Sequence, residues 1–301
     1  MPSVRANGIT LEFESFGNAR DPAILLIMGL ALQLTAWPDG FCQTLASGGF
    51  RVIRFDNRDV GLSEKFPHLG TPKLGLEMVK YWLGAPVRAG YTLVDMARDT
   101  VGLLDALGIA RAHLVGVSMG GMIAQIVASR FASRVLSLTS IMSSSGARGL
   151  PGPRWPVIKA FMSRPRGAGL QDLLDYYVYF FRVIGSPGFP VDEVELRASL
   201  ERSMKRSFYP SGIARQWLAV LAGGDRSAEL ARIRAPALVI HGAADRLVPL
   251  AAGRDTARKI PRAKLVIVRG MGHDLAAWPI LAREILAHVG GASAAGAVSP
   301  S

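Results

Sequence analysis

The stretch Ala112-His-Leu-Val-Gly-Val-Ser-Met-Gly-Gly121 decides the fold of this chain. Its first six residues are mostly apolar and predict a buried strand, and the apolar spacing that follows predicts a helix over Gly120–Phe131. A G-x-S-x-G pattern centred on Ser118 joins the two elements. The sequence therefore places a serine on a tight turn at the carboxyl end of a strand, where open α/β sheets bind their ligands.

The surroundings of Ser118 carry more weight than the pattern, because G-x-S-x-G also recurs by chance in a glycine-rich chain. The small residues Gly116 and Gly120 let such a turn close without a Cβ clash. The helix that follows directs free N–H groups and a partial positive charge at the turn. Ser118 is thus a candidate nucleophile, and the alternative is an ordinary glycine-rich connection between a strand and a helix.

Strands alternate with helices on both sides of a middle segment. Asn7-Gly8 is a turn signal and predicts a hairpin near the start of the chain. Further strands are predicted at Ala23–Met28, Arg51–Asp56, Val135–Ile141, Ala237–His241 and Leu265–Val268, and further helices at Val94–Leu107, Ala251–Ile260 and Trp278–Val289. This order predicts an α/β protein with a mostly parallel twisted sheet flanked by helices.

The middle segment, residues 146–230, breaks the alternation, since it opens with several prolines and then becomes helical. We interpret it as a helical lid inserted into a core formed by residues 1–145 and 231–289. Residues 290–301 are rich in Gly, Ala, Ser and Pro and are expected to be a disordered tail. Aromatic residues of the lid either line an apolar substrate pocket or dock the lid on the core; they are Tyr176, Tyr177, Phe180 and Phe181.

A serine hydroxyl needs a base to take its proton, and His273 is the best placed of the five histidines. It lies in the loop Gly270-Met-Gly-His-Asp274, just past the last predicted strand, and so shares a sheet edge with Ser118. His241, which closes the preceding strand, is the second choice and is more simply explained as structural.

The base in turn needs an anion that holds the correct tautomer. Asp245 lies in the loop after the strand Ala237–His241, and the chain order Ser, Asp, His is one of those known for serine hydrolases. Asp274 is a rival, although a residue adjacent to His273 rarely turns its side chain back onto the imidazole. The oxyanion of a tetrahedral intermediate would bind to the backbone N–H groups of Met119 and Leu30.

Composition excludes several other classes of protein. The net charge is +12, but dense basic runs and basic–aromatic interleaving are missing, so nucleic-acid binding is not expected. Apolar runs are too short to span a membrane, the first thirty residues do not resemble a signal peptide, and the single cysteine, Cys42, suits a reducing cytoplasm. Metal-ligand spacings and phosphate-binding loops are missing too, so no cofactor is expected. The sequence carries no signal for an oligomeric state.

These residues together resemble the α/β-hydrolase fold superfamily, in the carboxylesterase-like branch that contains the aclacinomycin methylesterases. The stretches that carry the resemblance are Met28-Gly29-Leu30 with Trp37-Pro38, Asp56-Asn-Arg-Asp-Val-Gly-Leu-Ser63, the turn around Ser118, Gly242-Ala-Ala-Asp245 and Gly272-His273. The resemblance implies that Asp56–Ser63 is structural and that Ser63 is not a nucleophile. The chain departs from the pattern common in this superfamily at Met28, where many relatives carry a histidine before the glycine.

Residue chemistry and resemblance both indicate a cofactor-independent hydrolase that cleaves small-molecule carboxylic esters through an acyl-enzyme. Epoxide hydrolases and haloalkane dehalogenases share the fold by resemblance but carry Asp where this chain has Ser118. The same three residues would also serve perhydrolase, lactonase, thioesterase or C–C hydrolase activity. A non-catalytic small-molecule binder on the same fold is the alternative from another class.

Overall fold

The structure is a computed structural model that describes residues 2–296, with side chains for residues 2–292. Its strands are β1 (Ser3–Ala6), β2 (Ile9–Phe16), β3 (Ala23–Ile27), β4 (Arg51–Phe55), β5 (Ala112–Val117), β6 (Val135–Ile141), β7 (Ala237–Gly242) and β8 (Lys264–Val268). Its α-helices are α1 (Asp39–Ser47), α2 (Leu74–Trp82), α3 (Leu93–Ala106), α4 (Met119–Arg130), α5 (Trp155–Met162), α6 (Leu170–Ile184), α7 (Glu193–Arg206), α8 (Pro210–Ala222), α9 (Ser227–Leu230), α10 (Leu250–Lys259) and α11 (Trp278–Gly296).

The strands form one sheet in the order β1-β2-β4-β3-β5-β6-β7-β8. The pairs β1–β2 and β2–β4 are antiparallel, and all the other pairs are parallel. Asn7 and Gly8 form the two-residue turn of the first hairpin, both at positive φ (49° and 78°), as a type I′ turn requires. The expected mostly parallel α/β sheet is therefore confirmed.

Helices cover both faces of the sheet, which explains why β3 is an uninterrupted apolar run. Leu25 and Ile27 face a cluster that includes residues of α3 and α4. Ile24 and Leu26 face the opposite cluster, which includes residues of α1 and α11. A strand buried on both faces has no reason to alternate apolar and polar residues.

The carboxyl ends of the parallel strands meet at one edge of the sheet. Ile27 of β3 is paired with Gly116 of β5, and Gly242 of β7 is paired with Val268 of β8. The loops that leave this edge after β3, β5, β7 and β8 carry Leu30, Ser118, Asp245 and His273, respectively. The topology therefore brings all the predicted catalytic loops to the same side of the molecule.

Helices α5–α9 form an insertion between β6 and β7, which are neighbours in the sheet. This agrees with the helical character that the sequence indicates for the middle segment. Leu230 of α9 is fully buried in the same apolar cluster as Ile123 of α4, so the last helix of the insertion packs against the core.

The expectation of a disordered tail over 290–301 is wrong for its first part, because α11 continues to Gly296. Ile285 and Val289 anchor this helix in the core, and a helix that is already nucleated can continue through residues that would not start one. Residues 297–301 of that predicted tail lie outside the described residues.

Candidate active site

Ser118 occupies a strained turn between β5 and α4. Its backbone has φ 52° and ψ −118°, a conformation that residues with a side chain rarely adopt. Its glycine neighbours are required by space: a Cβ on Gly116 would lie 2.2 Å from the carbonyl oxygen of Gly120, and one on Gly120 would lie 2.0 Å from that of Ile27. The glycines of the G-x-S-x-G pattern thus let α4 approach β3 and β5 closely.

Three hydrogen bonds hold this turn in place. The Ser118 N–H donates to the carbonyl oxygen of Ile141 (2.9 Å). The Ser118 carbonyl accepts from the buried hydroxyl of Ser143 (2.7 Å) and from the N–H of Met122 (3.2 Å). Backbone strain of this kind costs about 1–3 kcal/mol and persists where its surroundings over-determine it. The hydroxyl of Ser118 makes none of these bonds and is left for another partner.

His273 provides that partner. Its Nε2 lies 3.1 Å from Ser118 Oγ, and its Nδ1 lies 2.7 Å from Asp245 Oδ2. A carboxylate can only accept, so the ring proton resides on Nδ1, and Nε2 is free to accept the Ser118 proton. The imidazole is only 8% exposed, so these two contacts are largely shielded from water.

Asp245 is held by its own loop. Its Oδ1 accepts from the N–H groups of Leu247 (2.9 Å) and Val248 (2.8 Å), which leaves Oδ2 for His273. The residue is 5% exposed. These three hydrogen bonds fix the orientation of the carboxylate toward His273.

Asp274 and His241, the alternative acid and base, have other hydrogen-bond partners. Asp274 accepts from the backbone N–H (2.8 Å) and the hydroxyl (2.5 Å) of Ser186, and from the N–H of Ala276 (3.0 Å). His241 donates from Nε2 to the carbonyl oxygen of Val248 (2.8 Å), and burial lowers its pKa below 6.5. His241 Nε2 also lies 3.6 Å from Asp245 Oδ2, but the hydrogen bond to Ser118 Oγ is made by His273.

Of the two predicted oxyanion donors, Met119 follows Ser118 directly in the chain and Leu30 lies in the loop after β3. Met119 is the first residue of α4, so its N–H belongs to the group that has no acceptor within the helix. Leu30 follows Gly29, and a Cβ on Gly29 would lie 3.4 Å from the Ser118 Cβ. The loop after β3 therefore passes directly beside Ser118.

A buried side chain of the insertion, Gln216, fixes the loop after β3. This contact is not predicted from the sequence. Gln216 of α8 is fully buried; its Oε1 accepts from the N–H of Ala31 (2.9 Å), and its Nε2 donates to the carbonyl oxygen of Arg58 (2.8 Å). Ala31 has a positive φ of 68°, so this bond holds an otherwise unfavourable backbone next to Leu30.

The predicted pocket aromatics all lie on α6, namely Tyr176, Tyr177, Phe180 and Phe181. The Phe180 ring contacts Phe161 of α5 (4.9 Å between centroids), and Phe161 contacts Trp217 of α8 (5.1 Å). The ring centroids of Tyr177 and Phe208 are 6.3 Å apart. Among the described residues, these rings make their ring contacts with other rings of the insertion. The partners from α5 and α8 were not predicted, because nothing in the local sequence links them to α6.

Side chains of the Asp56–Ser63 stretch bond to several other parts of the chain. Asp56 accepts from the N–H groups of Leu34 (2.7 Å) and Leu62 (2.8 Å) and pairs with Arg206 of α7 (2.7 Å). Ser63 is 2% exposed, and its hydroxyl donates to the Asp56 carbonyl (2.6 Å). The hydroxyl of Ser63 is therefore engaged in hydrogen bonds to the backbone.

The part of the chain that the structure describes contains no group of three His, Cys, Asp or Glu side chains that could hold a metal ion. In the same part, no helix has both the length and the apolar character to cross a membrane. Cys42 is buried within α1, and burial raises the pKa of its thiol to about 12, so this thiol is unsuited to act as a nucleophile.

A family model for the alpha/beta hydrolase fold matches residues 22–278. The rhodomycin D methylesterases DauP of Streptomyces sp. (strain C5) and DnrP of Streptomyces peucetius are 30% and 29% identical, each over 93% of this chain and 95% of its own length. The meta-cleavage product hydrolase CumD from Pseudomonas fluorescens IP01 matches with a TM-score of 0.75 at 19% identity, covering 97% of this chain and 98% of that one. At that identity the likeness concerns the fold alone.

Proposed function

Since the chain belongs to the α/β-hydrolase fold family, we propose that it is a serine hydrolase that cleaves carboxylic esters through an acyl-enzyme intermediate. Ser118 is the nucleophile, His273 the general base and Asp245 the acid that orients the base. The observation that carries the proposal is the continuous relay of side chains, 3.1 Å from Ser118 Oγ to His273 Nε2 and 2.7 Å from His273 Nδ1 to Asp245 Oδ2.

The first half of the reaction forms the acyl-enzyme. Ser118 Oγ attacks the ester carbonyl while His273 Nε2 takes its proton, and the charged Asp245 stabilises the imidazolium that results. The carbonyl oxygen becomes an oxyanion, which the N–H groups of Met119 and Leu30 bind. As the tetrahedral intermediate collapses, the C–O bond to the alcohol breaks and His273 returns its proton to the leaving oxygen.

The second half releases the acid. Water takes the place of the alcohol, His273 removes its proton, and the hydroxide equivalent attacks the acyl carbon. Collapse of the second tetrahedral intermediate breaks the bond to Ser118 Oγ and returns the proton to it. No cofactor takes part in this scheme, because every proton and charge is accounted for by the three side chains, the two backbone donors and water.

The insertion is proposed to act as a lid over this site. It contacts both loops that carry the base and the acid: the Ile184 carbonyl accepts from the N–H of His273 (2.8 Å), and the N–H of Arg154 donates to the carbonyl of Arg246 (2.8 Å), the residue after Asp245. These contacts join the start of α5 and the end of α6 to the two loops, which supports the proposed position of the lid.

Methyl esters of bulky, apolar carboxylic acids are the substrate class that we propose first. Two relatives that match nearly the whole chain are methylesterases. Rings from three helices of the insertion, Phe161, Phe180 and Trp217, pack together and would give the acyl side of the pocket an apolar, aromatic wall.

The test compares wild type with Ser118→Ala on p-nitrophenyl acetate and on methyl esters of aromatic and of short aliphatic acids. We expect a burst of about one p-nitrophenol per chain followed by steady turnover, a preference for aromatic methyl esters, and no turnover in a folded Ser118→Ala variant. Undiminished hydrolysis in that variant, or a folded wild type that cleaves none of these esters, would overturn the proposal.

A further inference from the structure

Three consecutive residues around the proposed base are hydrogen-bonded to Ile184, the last residue of α6, and to Ser186 just after it. His273 donates its N–H to the carbonyl of Ile184 (2.8 Å), and Gly272 donates its N–H to the hydroxyl of Ser186 (2.8 Å). On the other side of His273, Asp274 accepts from both the N–H and the hydroxyl of Ser186. The loop that carries the base is therefore bonded to the insertion at every residue from 272 to 274.

The hydroxyl of Ser186 is the centre of this arrangement. It accepts from Gly272 and donates to Asp274, so the donor and acceptor roles of one small group join the two residues that flank His273. Ser186 is 6% exposed, so water does not readily replace either bond. Because the Ser186 hydroxyl donates its hydrogen bond to Asp274, the lone pairs of Ser186 Oγ are turned toward the N–H of Gly272.

The two segments are also in direct backbone contact. A Cβ on Gly272 would lie 2.3 Å from the carbonyl oxygen of Gly185, so only glycine fits there. Further along, the N–H of Gly188 donates to the carbonyl of Gly270 (2.9 Å). With no side chain between the segments, the bonds of Ser186 act together with these backbone contacts to set their spacing.

We propose that Ser186, together with Asp274, is a positioning residue for the catalytic base. Ser186 touches neither the substrate nor the reacting atoms; it sets the backbone from which the His273 imidazole reaches Ser118. This inference rests on the proposed function, and it adds that the end of α6 is a fixed point of the insertion, so any opening of the lid must occur elsewhere along it.

A positioning role has a specific kinetic signature. Without the hydroxyl, Gly272 loses its acceptor and Asp274 loses one donor, and the loop can shift while the pocket is unchanged. Proton transfer depends steeply on distance, so a displacement of a few tenths of an ångström should lower kcat by about tenfold, with KM within about twofold of wild type. Ser186→Thr keeps the hydroxyl and should restore most of kcat.

Ser145→Ala is the matched control. Ser145 is fully buried, its hydroxyl also donates to a carboxylate, that of Asp255 (2.5 Å), and it also accepts from a backbone N–H, that of Ala147 (3.2 Å). Its substitution therefore removes the same two kinds of bond without touching the loop of His273. We expect a comparable loss of melting temperature in both alanine variants, but a loss of kcat only in Ser186→Ala.

The experiment measures kcat, KM, melting temperature and the rate of fluorophosphonate labelling of Ser118 for wild type, Ser186→Ala, Ser186→Thr and Ser145→Ala. Labelling needs the base but no natural substrate, and should slow in Ser186→Ala by the same factor as kcat. If wild type is not labelled, the proposed function fails. If wild type is labelled and Ser186→Ala matches it in rate and kcat, or if Ser145→Ala loses as much, this inference is overturned.

Asp274→Asn keeps the test decisive if Ser186→Ala does not fold. Its amide retains one oxygen but turns an NH₂ toward one of the two Ser186 donors, so kcat should fall by about two- to tenfold with KM unchanged. A kcat equal to wild type in folded Asp274→Asn would contradict the positioning role.

Discussion

Replacing Asp245 by Asn tests the assignment of the acid most sharply, because the structure dictates how the amide would sit. Oδ1 of Asp245 accepts from two backbone N–H groups, those of Leu247 and Val248, while Oδ2 faces Nδ1 of His273. The amide oxygen of Asn must occupy the Oδ1 position, because an NH₂ there would oppose two donors. Its NH₂ then faces His273.

That orientation puts the wrong tautomer at the nucleophile. An NH₂ group facing Nδ1 requires an acceptor there, so the ring proton moves to Nε2, which then donates toward Ser118 Oγ and cannot take its proton. The neutral amide also no longer stabilises the imidazolium. We expect kcat to fall by a factor of about 10³–10⁴, equivalent to about 4–5.5 kcal/mol of transition-state stabilisation.

Asp274→Asn is the control, since it changes a neighbouring loop aspartate by the same atoms and the same charge. Asp274 bonds to Ser186 and Ala276 and not to the imidazole, so its substitution should cost about tenfold or less. The assay is the rate of p-nitrophenyl ester hydrolysis by both folded variants at one pH and temperature. Should Asp274→Asn prove the more damaging change, Asp245 is not the acid and its loop has another role.

Three further predictions concern the loop that carries Leu30, the pH dependence of stability and the metal requirement. Gln216→Met should lower kcat by about tenfold by loosening the loop that carries Leu30. Gln125→Met, which removes a buried glutamine of α4 that donates to the hydroxyl of Ser140, should leave kcat within about twofold, and equal losses in kcat would contradict the role of Gln216. Burial lowers the pKa of His113 from 6.5 to about 4. As pH falls through this window, the unfolded chain binds a proton that the folded chain does not bind, and the free energy of unfolding decreases. Urea unfolding should therefore show a loss of up to about 2 kcal/mol between pH 6.5 and 5 that is reduced in His113→Gln, and an unchanged pH slope in that variant would refute the assignment. Dialysis against a chelator should leave esterase activity intact, and a loss that added metal restores would be evidence of a metal requirement.

The parts of the fold that the sequence predicts are those in which local pattern and tertiary burial agree. β3 is readable because a strand buried on both faces must be apolar throughout, and α6 is readable from its apolar spacing. The turn at Ser118 is readable because two flanking glycines are required wherever a strand and a helix approach so closely. Asp245 and His273 follow from topology, since loops after parallel strands share one edge.

Other features depend on contacts that no local pattern encodes. Helix α1 was missed because its buried residues Phe41, Cys42 and Leu45 follow a proline and a glycine and resemble a short apolar loop. The continuation of α11 to Gly296 was missed because a composition typical of disorder is also compatible with a helix that the core has already nucleated.

The links between the insertion and the catalytic loops were invisible for a different reason. Gln216 and Ala31 are 185 residues apart, and Ser186 and Asp274 are 88 residues apart. Serine, glutamine and aspartate are common on exposed surfaces, and only their burial against a backbone donor gives them a specific role.

Labelling with a fluorophosphonate, followed by mass spectrometry of the peptides, tests the central claim most directly. The reagent reacts with a serine that a base has activated, so we expect one label per chain, at Ser118, and none in a folded Ser118→Ala variant. A label at Ser63, whose hydroxyl is bonded to the Asp56 carbonyl, or a folded wild type that stays unlabelled, would contradict it.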